Sequence, residues 1–285
     1  LGFKKLMGYE AIFSCAFRER KDNPGEWSVL PHSADYWYAD PLIMSYDDLE
    51  IIFAERVNRH TGIGSIVAFD ISDGVWKTEV PVIEEKFHMS FPMIFEWGRE
   101  LYMIPETEMD CAVNLYRCSD FPYKWEKAGR FLEGDRIVDS AVENIQGDTV
   151  NLFGSDFKPE DDFYTRFHGY RITKDGSGMI TASDDGLLTK EYTLDSRMAG
   201  YQLKEAGETV YPVQRSTSGV YGYSVMLKKG HPAYGETLRE LLPFDVQREL
   251  PKHSPKLIGV HTYTRSDRFE VIDIQYLVKK VDKHA

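Results

Sequence analysis

Three carboxylates stand at the ends of apolar or aromatic runs. They are Asp40 in Tyr36-Trp37-Tyr38-Ala39-Asp40-Pro41-Leu42-Ile43-Met44, Glu106 closing Leu101-Tyr102-Met103-Ile104-Pro105-Glu106, and Asp139 in Val138-Asp139-Ser140-Ala141-Val142. Asp is depleted in strands, and Pro is tolerated mainly at a strand's first residue or on an edge, so Asp40-Pro41 reads as the mouth of a strand. Two carboxyl groups brought together can divide labour, one keeping its proton as general acid and the other ionised as base or nucleophile. That is the machinery of glycosidic bond cleavage. His88, Arg197, Gln214 and His261 occupy comparable polar positions beside strands. A guanidinium there suits a carboxylate, a phosphate or a uronate, and a histidine suits a hydrogen bond or a channel cation. Trp37, Tyr38, Tyr221 and Tyr263 offer flat faces on which a sugar can stack.

The elements that must position these residues recur as one phrase: a short polar segment, an apolar strand, a turn, and a second strand ending in a polar residue. It begins at Tyr36, at Met89, at Val138, at Ser196 and at Leu257, with turns at Ser45-Tyr46-Asp47-Asp48, Glu96-Trp97-Gly98-Arg99, Gln146-Gly147-Asp148, Ala206-Gly207-Glu208 and Arg265-Ser266-Asp267. A spacing of roughly 40 to 60 residues is that of four-stranded propeller blades. A β-sandwich gives no reason for the phrase to repeat in register. The expectation is therefore an all-β, five-bladed β-propeller, with residues 1–285 forming a single domain. Residues 232–255 break the pattern and read as a surface insertion, with one helix at Tyr234 to Leu241. Tyr9 to Arg20 reads as a strand, Phe167 to Ile172 as the outer strand of the third blade, and Asp161-Asp162 and Asp184-Asp185 as solvated loops. If first strands line the channel, their starts (Asp40, Ser90, Asp139, Arg197, His261) and the ends of the second strands (Glu55, Glu106, Asp156, Gln214, Asp273) meet on one face.

The net charge of −12 argues against nucleic acid or an anionic membrane as principal partner, because both select a positive surface. No apolar run is long enough to span a bilayer, and no signal segment opens the chain. Cys15, Cys111 and Cys118 form no C-x-x-C or zinc spacing and read as reduced thiols, which points to a cytoplasmic location. The glycines make neither a dinucleotide fingerprint nor a phosphate loop. The expectation is no cofactor and no metal, with a sugar or glycan as ligand.

Tyr38-Ala39-Asp40-Pro41, Phe87-His88-Met89-Ser90-Phe91-Pro92, Ile104-Pro105-Glu106-Thr107, Val138-Asp139-Ser140, Tyr211-Pro212-Val213-Gln214 and Gly259-Val260-His261-Thr262-Tyr263 with Glu270-Val271-Ile272-Asp273 also carry a resemblance. Together they resemble the propeller domain at the N-terminus of plant glucosamine inositolphosphorylceramide transferases. Similar bacterial domains occur alone or beside formyltransferases in polysaccharide gene neighbourhoods. More distantly the chain is similar to the five-bladed arabinanase/xylosidase and invertase/levansucrase glycosidases. This second likeness implies Asp40 as base or nucleophile and places Asp139 where those enzymes carry a general-acid Glu. Their second blade opens with an Asp that tunes the acid. Phe91 sits nearest that position here, and Glu106 is the neighbouring carboxylate that can substitute for it or act as the acid itself. Two functions follow: a glycosidase-like enzyme that cleaves or transfers a glycosyl unit, or a non-catalytic glycan-binding module serving a partner or fused glycosyltransferase in polysaccharide biosynthesis.

Overall fold

The structure, a computed structural model, describes residues 8–31, 33–158 and 161–280. Each repeated phrase becomes the inner part of an antiparallel blade. After β1 (Tyr9–Glu19) and β2 (Ser28–Val29), blade one is β3 (Tyr36–Tyr46), β4 (Leu49–Asn58), β5 (Gly64–Asp70) and β6 (Val80–Ile83). Blade two is β7 (Ser90–Trp97), β8 (Glu100–Glu106), β9 (Val113–Asp120) and β10 (Lys124–Phe131). Blade three is β11 (Val138–Gln146), β12 (Thr149–Lys158), β13 (Asp161–Lys174) and β14 (Ile180–Leu187). In blade four β15 (Arg197–Met198) and β16 (Leu203–Glu205) both pair β17 (Glu208–Thr217), followed by β18 (Val220–Lys229) and β19 (Glu236–Leu241). In blade five β20 (Leu257–Gly259) and β21 (Tyr263–Arg265) both pair β22 (Phe269–Lys279). The protein is a five-bladed β-propeller.

Blade five is completed from the other end of the chain. β22 pairs β1 without a break from Tyr9↔Lys279 to Glu19↔Phe269, and β2 pairs the far side of β1. The ring is thus closed by main-chain hydrogen bonds between β1 and β22.

The middle strands read as continuous apolar runs because blades pack face to face and bury both sides of a strand. Ile51-Ile52-Phe53-Ala54 of β4 has no exposed member. Ile51 and Phe53 join Ile94 and Met103 of blade two, whereas Ile52 and Ala54 join Phe17 and Phe269 of blade five. Leu42, Phe91, Ala141 and Met198, one from the inner strand of each of the first four blades, fall in a single buried cluster. This cluster puts an apolar floor under the polar residues above it.

The inner strands are bulged at matching places. Register breaks between Ala39 and Leu42, between Ser90 and Met93, and between Val138 and Ala141. Inside each break one residue takes positive φ: Asp40 at 49°, Phe91 at 42° and Asp139 at 48°. Asp tolerates that region better than most residues, and a bulge re-aims the side chain it carries.

Three sequence readings are corrected. Tyr234 to Leu241 is not a helix: Glu236–Leu241 is the edge strand β19, paired to β18, and the helix α1 follows at Pro243–Arg248. Pro243 explains the displacement, since proline is pre-organised for the first helical turn. Phe167 to Ile172 belongs to the third strand of blade three, not the outer one. The outer strand β14 contains Asp184 and Asp185, which pair His168 and Arg171 of β13, and Asp161 opens β13. No helix among the described residues is long and apolar enough to cross a membrane.

Candidate functional site

The register places polar side chains at one end of the ring. Ala39 lies opposite Glu55, Ser90 opposite Glu106, Val138 opposite Ser155 and Arg197 opposite Gln214. The bulged residue that follows in blades one and three is an acid. Asp40 and Asp139 line a cavity of about 1010 Å³ together with Glu55, Glu106, His88, Arg197, His261, Trp37 and Tyr221. Three charge groups form its floor.

In the first, His261 stands between two carboxylates, its Nε2 3.2 Å from Asp40 Oδ1 and its Nδ1 2.5 Å from Asp273 Oδ2. Asp273 is fully buried, and its Oδ1 accepts the backbone N–H groups of His261 at 2.9 Å and Thr262 at 3.0 Å. Its Oδ2 accepts the N–H of Asp40 at 3.2 Å, so this carboxylate ties the bulge of blade one to the split inner strand of blade five. Thr262 Oγ1 donates to Asp40 Oδ1 at 3.0 Å. Burial pushes the Asp40 carboxyl up, but the charge on His261 and the hydrogen bonds from His261 and Thr262 outweigh it and hold the group below its ordinary value. Burial draws His261 down, yet Asp273 and Asp40 together hold it well above the usual imidazole range. Asp40 is therefore ionised against an imidazolium. The three ligand atoms lie within 4.8 Å of one another and have the chemistry of a cation site, although His261 would have to give up its proton to serve as a ligand.

In the second group Arg197 pairs Asp139 through Nε, and its Nη2 donates to Glu106 Oε2 at 3.3 Å. The Asp139 N–H donates to that same oxygen at 3.3 Å. Burial and the adjacent Asp139 charge push Glu106 up to about 8, with Arg197 opposing. Burial raises Asp139 as well, and Arg197 holds it back. The guanidinium engages Asp139 more closely, so the proton of this carboxyl pair rests on Glu106.

In the third group His88 Nε2 lies 2.9 Å from Glu55 Oε1. His88 Nδ1 is 3.0 Å from Gly64 N and 3.3 Å from the Gly62 carbonyl, so it accepts from the first when neutral and donates to the second when protonated. Burial works against its charge, but Glu55 prevails and the imidazole is pushed up to about 9. The pair fits because residue 64 is glycine: a Cβ there would meet Met89 O at 2.5 Å and both Glu55 Oε1 and His88 Cε1 at 2.9 Å.

Aromatic rings form the walls. Phe13 lies 4.4 Å from the His261 ring and 5.6 Å from Trp37, centroid to centroid. Tyr221 is 5.7 Å from His261, and the Arg197 guanidinium carbon sits 5.2 Å from the Tyr221 centroid. Gly222 permits this approach, because a Cβ there would meet the Cβ of His261 at 2.4 Å. Lys86, Arg136 and Lys158 stand at the mouth with the exposed side chains of Ile63 and Met109.

Of the residues expected from sequence, Asp40, Glu106, Asp139, Trp37, His88, Arg197, Tyr221 and His261 share this cavity. Tyr38, Gln214 and Tyr263 do not line it. Tyr38 points to the other face of β3 and packs on Phe69 at 5.5 Å. Gln214 is buried on β17 behind Arg197. Tyr263 lies in the core between blades four and five, its hydroxyl donating to Glu270 Oε2 at 3.0 Å. Asp156 also turns away and is held by Arg166, because Ser155 takes the position facing Val138. Phe13, Phe157 and Phe163 line the cavity and were missed. Phe13 lies on β1, and nothing in the sequence of that strand says which blade it joins.

Comparison with known proteins places the chain. A profile described as glucosamine inositolphosphorylceramide transferase 1, N-terminal, matches residues 25–246. The glucosamine inositolphosphorylceramide transferase 1 of Oryza sativa subsp. japonica is 31% identical over 235 residues, covering 77% of this chain and 30% of that protein. The Arabidopsis thaliana protein of the same name is 32% identical over 120 residues, covering 41% of this chain and 15% of that one. The chain thus spans 30% or less of the length of these relatives. Among solved structures, the catalytic domain of a Coprinopsis cinerea GH62 alpha-L-arabinofuranosidase superposes with a TM-score of 0.56 at 10% identity, over 91% of this chain and 97% of that one. A Podospora anserina alpha-L-arabinofuranosidase gives 0.53 at 10% identity, over 83% and 90%. At such identity the likeness is one of fold. The match across most of the propeller, from the strand before blade one to the helix after blade four, shows that the chain belongs to the family of glucosamine inositolphosphorylceramide transferase 1 N-terminal domains.

Proposed function

We propose that the axial cavity is a glycan site that cleaves or transfers a glycosyl unit, with Asp40 as the ionised base or nucleophile and Glu106 as the protonated acid. One observation carries this reading: two buried carboxyls facing a single cavity are displaced in opposite directions, Asp40 downward and Glu106 up to about 8. Carboxyls so separated are matched to base and acid work. Of the two acids the sequence offered, this assignment takes Glu106, the alternative, over Asp139. Asp139 is engaged by Arg197 and serves better to position that guanidinium and to keep the proton on its neighbour. Aromatic walls and a cavity at the upper end of the ligand-pocket range, about 300 to 1,000 Å³, suit a sugar with substituents.

A second reading, a non-catalytic glycan-binding module assisting a glycosyltransferase, is favoured by Phe91. Of the three equivalent bulges, the one in blade two carries a buried phenyl ring where blades one and three carry acids. Asp40→Asn separates the readings in a screen of activated aryl glycosides and nucleotide sugars with mass detection of products. Turnover by the wild type that disappears in the variant, with sugar affinity retained, supports the enzyme. Sugar binding without turnover in either protein supports the module, and neither binding nor turnover sinks both.

A further inference from the structure

The axial cavity does not end at its own wall. A second hollow of about 470 Å³ lies over blade three and shares Arg136 and Phe157 with the first. These two residues form the partition: the Arg136 guanidinium carbon stands 4.9 Å from the Phe157 ring centroid, and Arg136 is itself paired to Glu108 of blade two. Beyond the partition the hollow runs outward across the tops of β12, β13 and β14, from Asp156 past Arg166 and His168 to Leu187. Its polar groups are held in place before any ligand arrives. Arg166 grips both oxygens of Asp156 at 2.9 to 3.1 Å, and Tyr192 adds a hydrogen bond to Asp156 Oδ2 at 3.2 Å under a guanidinium 4.4 Å from its ring. His168 Nε2 lies 2.6 Å from Asp184 Oδ1.

We infer that this trough is a second glycan subsite, which receives further units of a chain whose terminal unit lies on the propeller axis. The inference rests on the sugar reading of the axial cavity and extends it. Three features support it. A volume of about 470 Å³ lies within the range of ligand pockets. Fixed carboxylate and guanidinium pairs retain free lone pairs and N–H groups, which match neighbouring hydroxyls of a sugar ring. Phe157 and Leu187 present apolar surface at the inner and outer ends, the kind of surface that ring C–H groups cover. A monosaccharide would have no use for the trough, whereas a linear oligosaccharide would lie along it. β14 ends in Gly186-Leu187 with Leu187 exposed, and the chain beyond it runs back along β13, where Thr193 pairs Thr165 and Tyr192 reaches Asp156, before it enters blade four.

The test begins with an array of linear neutral and acidic oligosaccharides of one to six units. Affinities for the monosaccharide, disaccharide and trisaccharide of the best series are then measured by calorimetry. Wild type is compared with His168→Ala and Leu187→Trp. The second change is at an exposed side chain, so the fold survives it, and it fills the outer end of the trough. The expected result is an affinity rising about tenfold from one to three units in the wild type. In both variants that gain is lost while monosaccharide affinity is unchanged. A flat length dependence, or a gain that survives both variants, overturns the subsite and leaves the axial reading intact. Failure of every oligosaccharide to bind overturns the axial reading and the subsite with it.

Discussion

Asp40 and Glu106 face one cavity with opposite protonation preferences, and the pH dependence follows. Asp40 sits below its ordinary value and is ionised across the neutral range, while Glu106 keeps its proton up to about pH 8. The productive form, Asp40 ionised and Glu106 protonated, fills as pH rises through the low Asp40 value and empties above about 8. Asp40→Asn and Glu106→Gln are each expected to lower kcat/KM by about 10² to 10⁴-fold, the usual contribution of a general acid or base. Asp139→Asn tests the neighbour's part. It removes the like charge that raises Glu106 and leaves Arg197 beside it, so the alkaline limb of the pH–rate profile should move to lower pH. A limb that stays in place would show that burial alone sets the acid.

At the scale of the strand, the bulge aims these side chains, and it makes its own demand. Asp40 at φ 49° is compatible with Asp or Asn but not with a β-branched residue. Asp40→Val should therefore lose the charge and also strain the backbone, at about 1–3 kcal/mol. The thermal midpoint followed by circular dichroism should fall well below that of Asp40→Asn; equal midpoints would mean that the bulge relaxes freely. The same feature explains what could be read in the sequence. The repeated apolar strand, turn and strand with a polar end revealed the blades and brought Asp40, Glu106, Asp139, Arg197 and His261 to one rim. Which of Trp37 and Tyr38 faces the cavity was illegible, because alternation fixes a face only relative to a register and the bulge at Asp40 resets it. Outer strands were hidden for a different reason. Glu236–Leu241 is mostly exposed on an edge, and without a buried face it carries no period-two signal. The sequence offered Glu106 and Asp139 both as the acid but could not choose between them, since the proton affinity of Glu106 comes from burial and from Asp139, which lies in another blade.

For the molecule as a whole, the proton-holding groups couple stability to pH. Glu106, ordinarily 4.5, is raised to about 8, and His88, ordinarily 6.5, to about 9. Between each pair of values the folded chain keeps a proton that the unfolded chain has lost, so both contributions are complete at low pH and decline as pH rises through 8 and 9. The melting temperature should fall from pH 6.5 to pH 9, and Glu106→Gln, which has no proton to lose, should flatten that fall. A melting temperature that rises over this interval would contradict both assignments. Removing β1 should leave the long outer edge of β22 unpaired and prevent folding, which the loss of a cooperative melting transition would reveal. The pairing of β1 with β22 also gives the protein a clock. On the ribosome, β1 emerges before every blade, and the long edge that β22 covers stays open while the other blades are made. The cavity waits with it: Phe13 is synthesised before the first blade and Asp273 after the fourth, and both lie against His261. A chain interrupted before β22 cannot present the site, so binding at the axis certifies that synthesis passed β22.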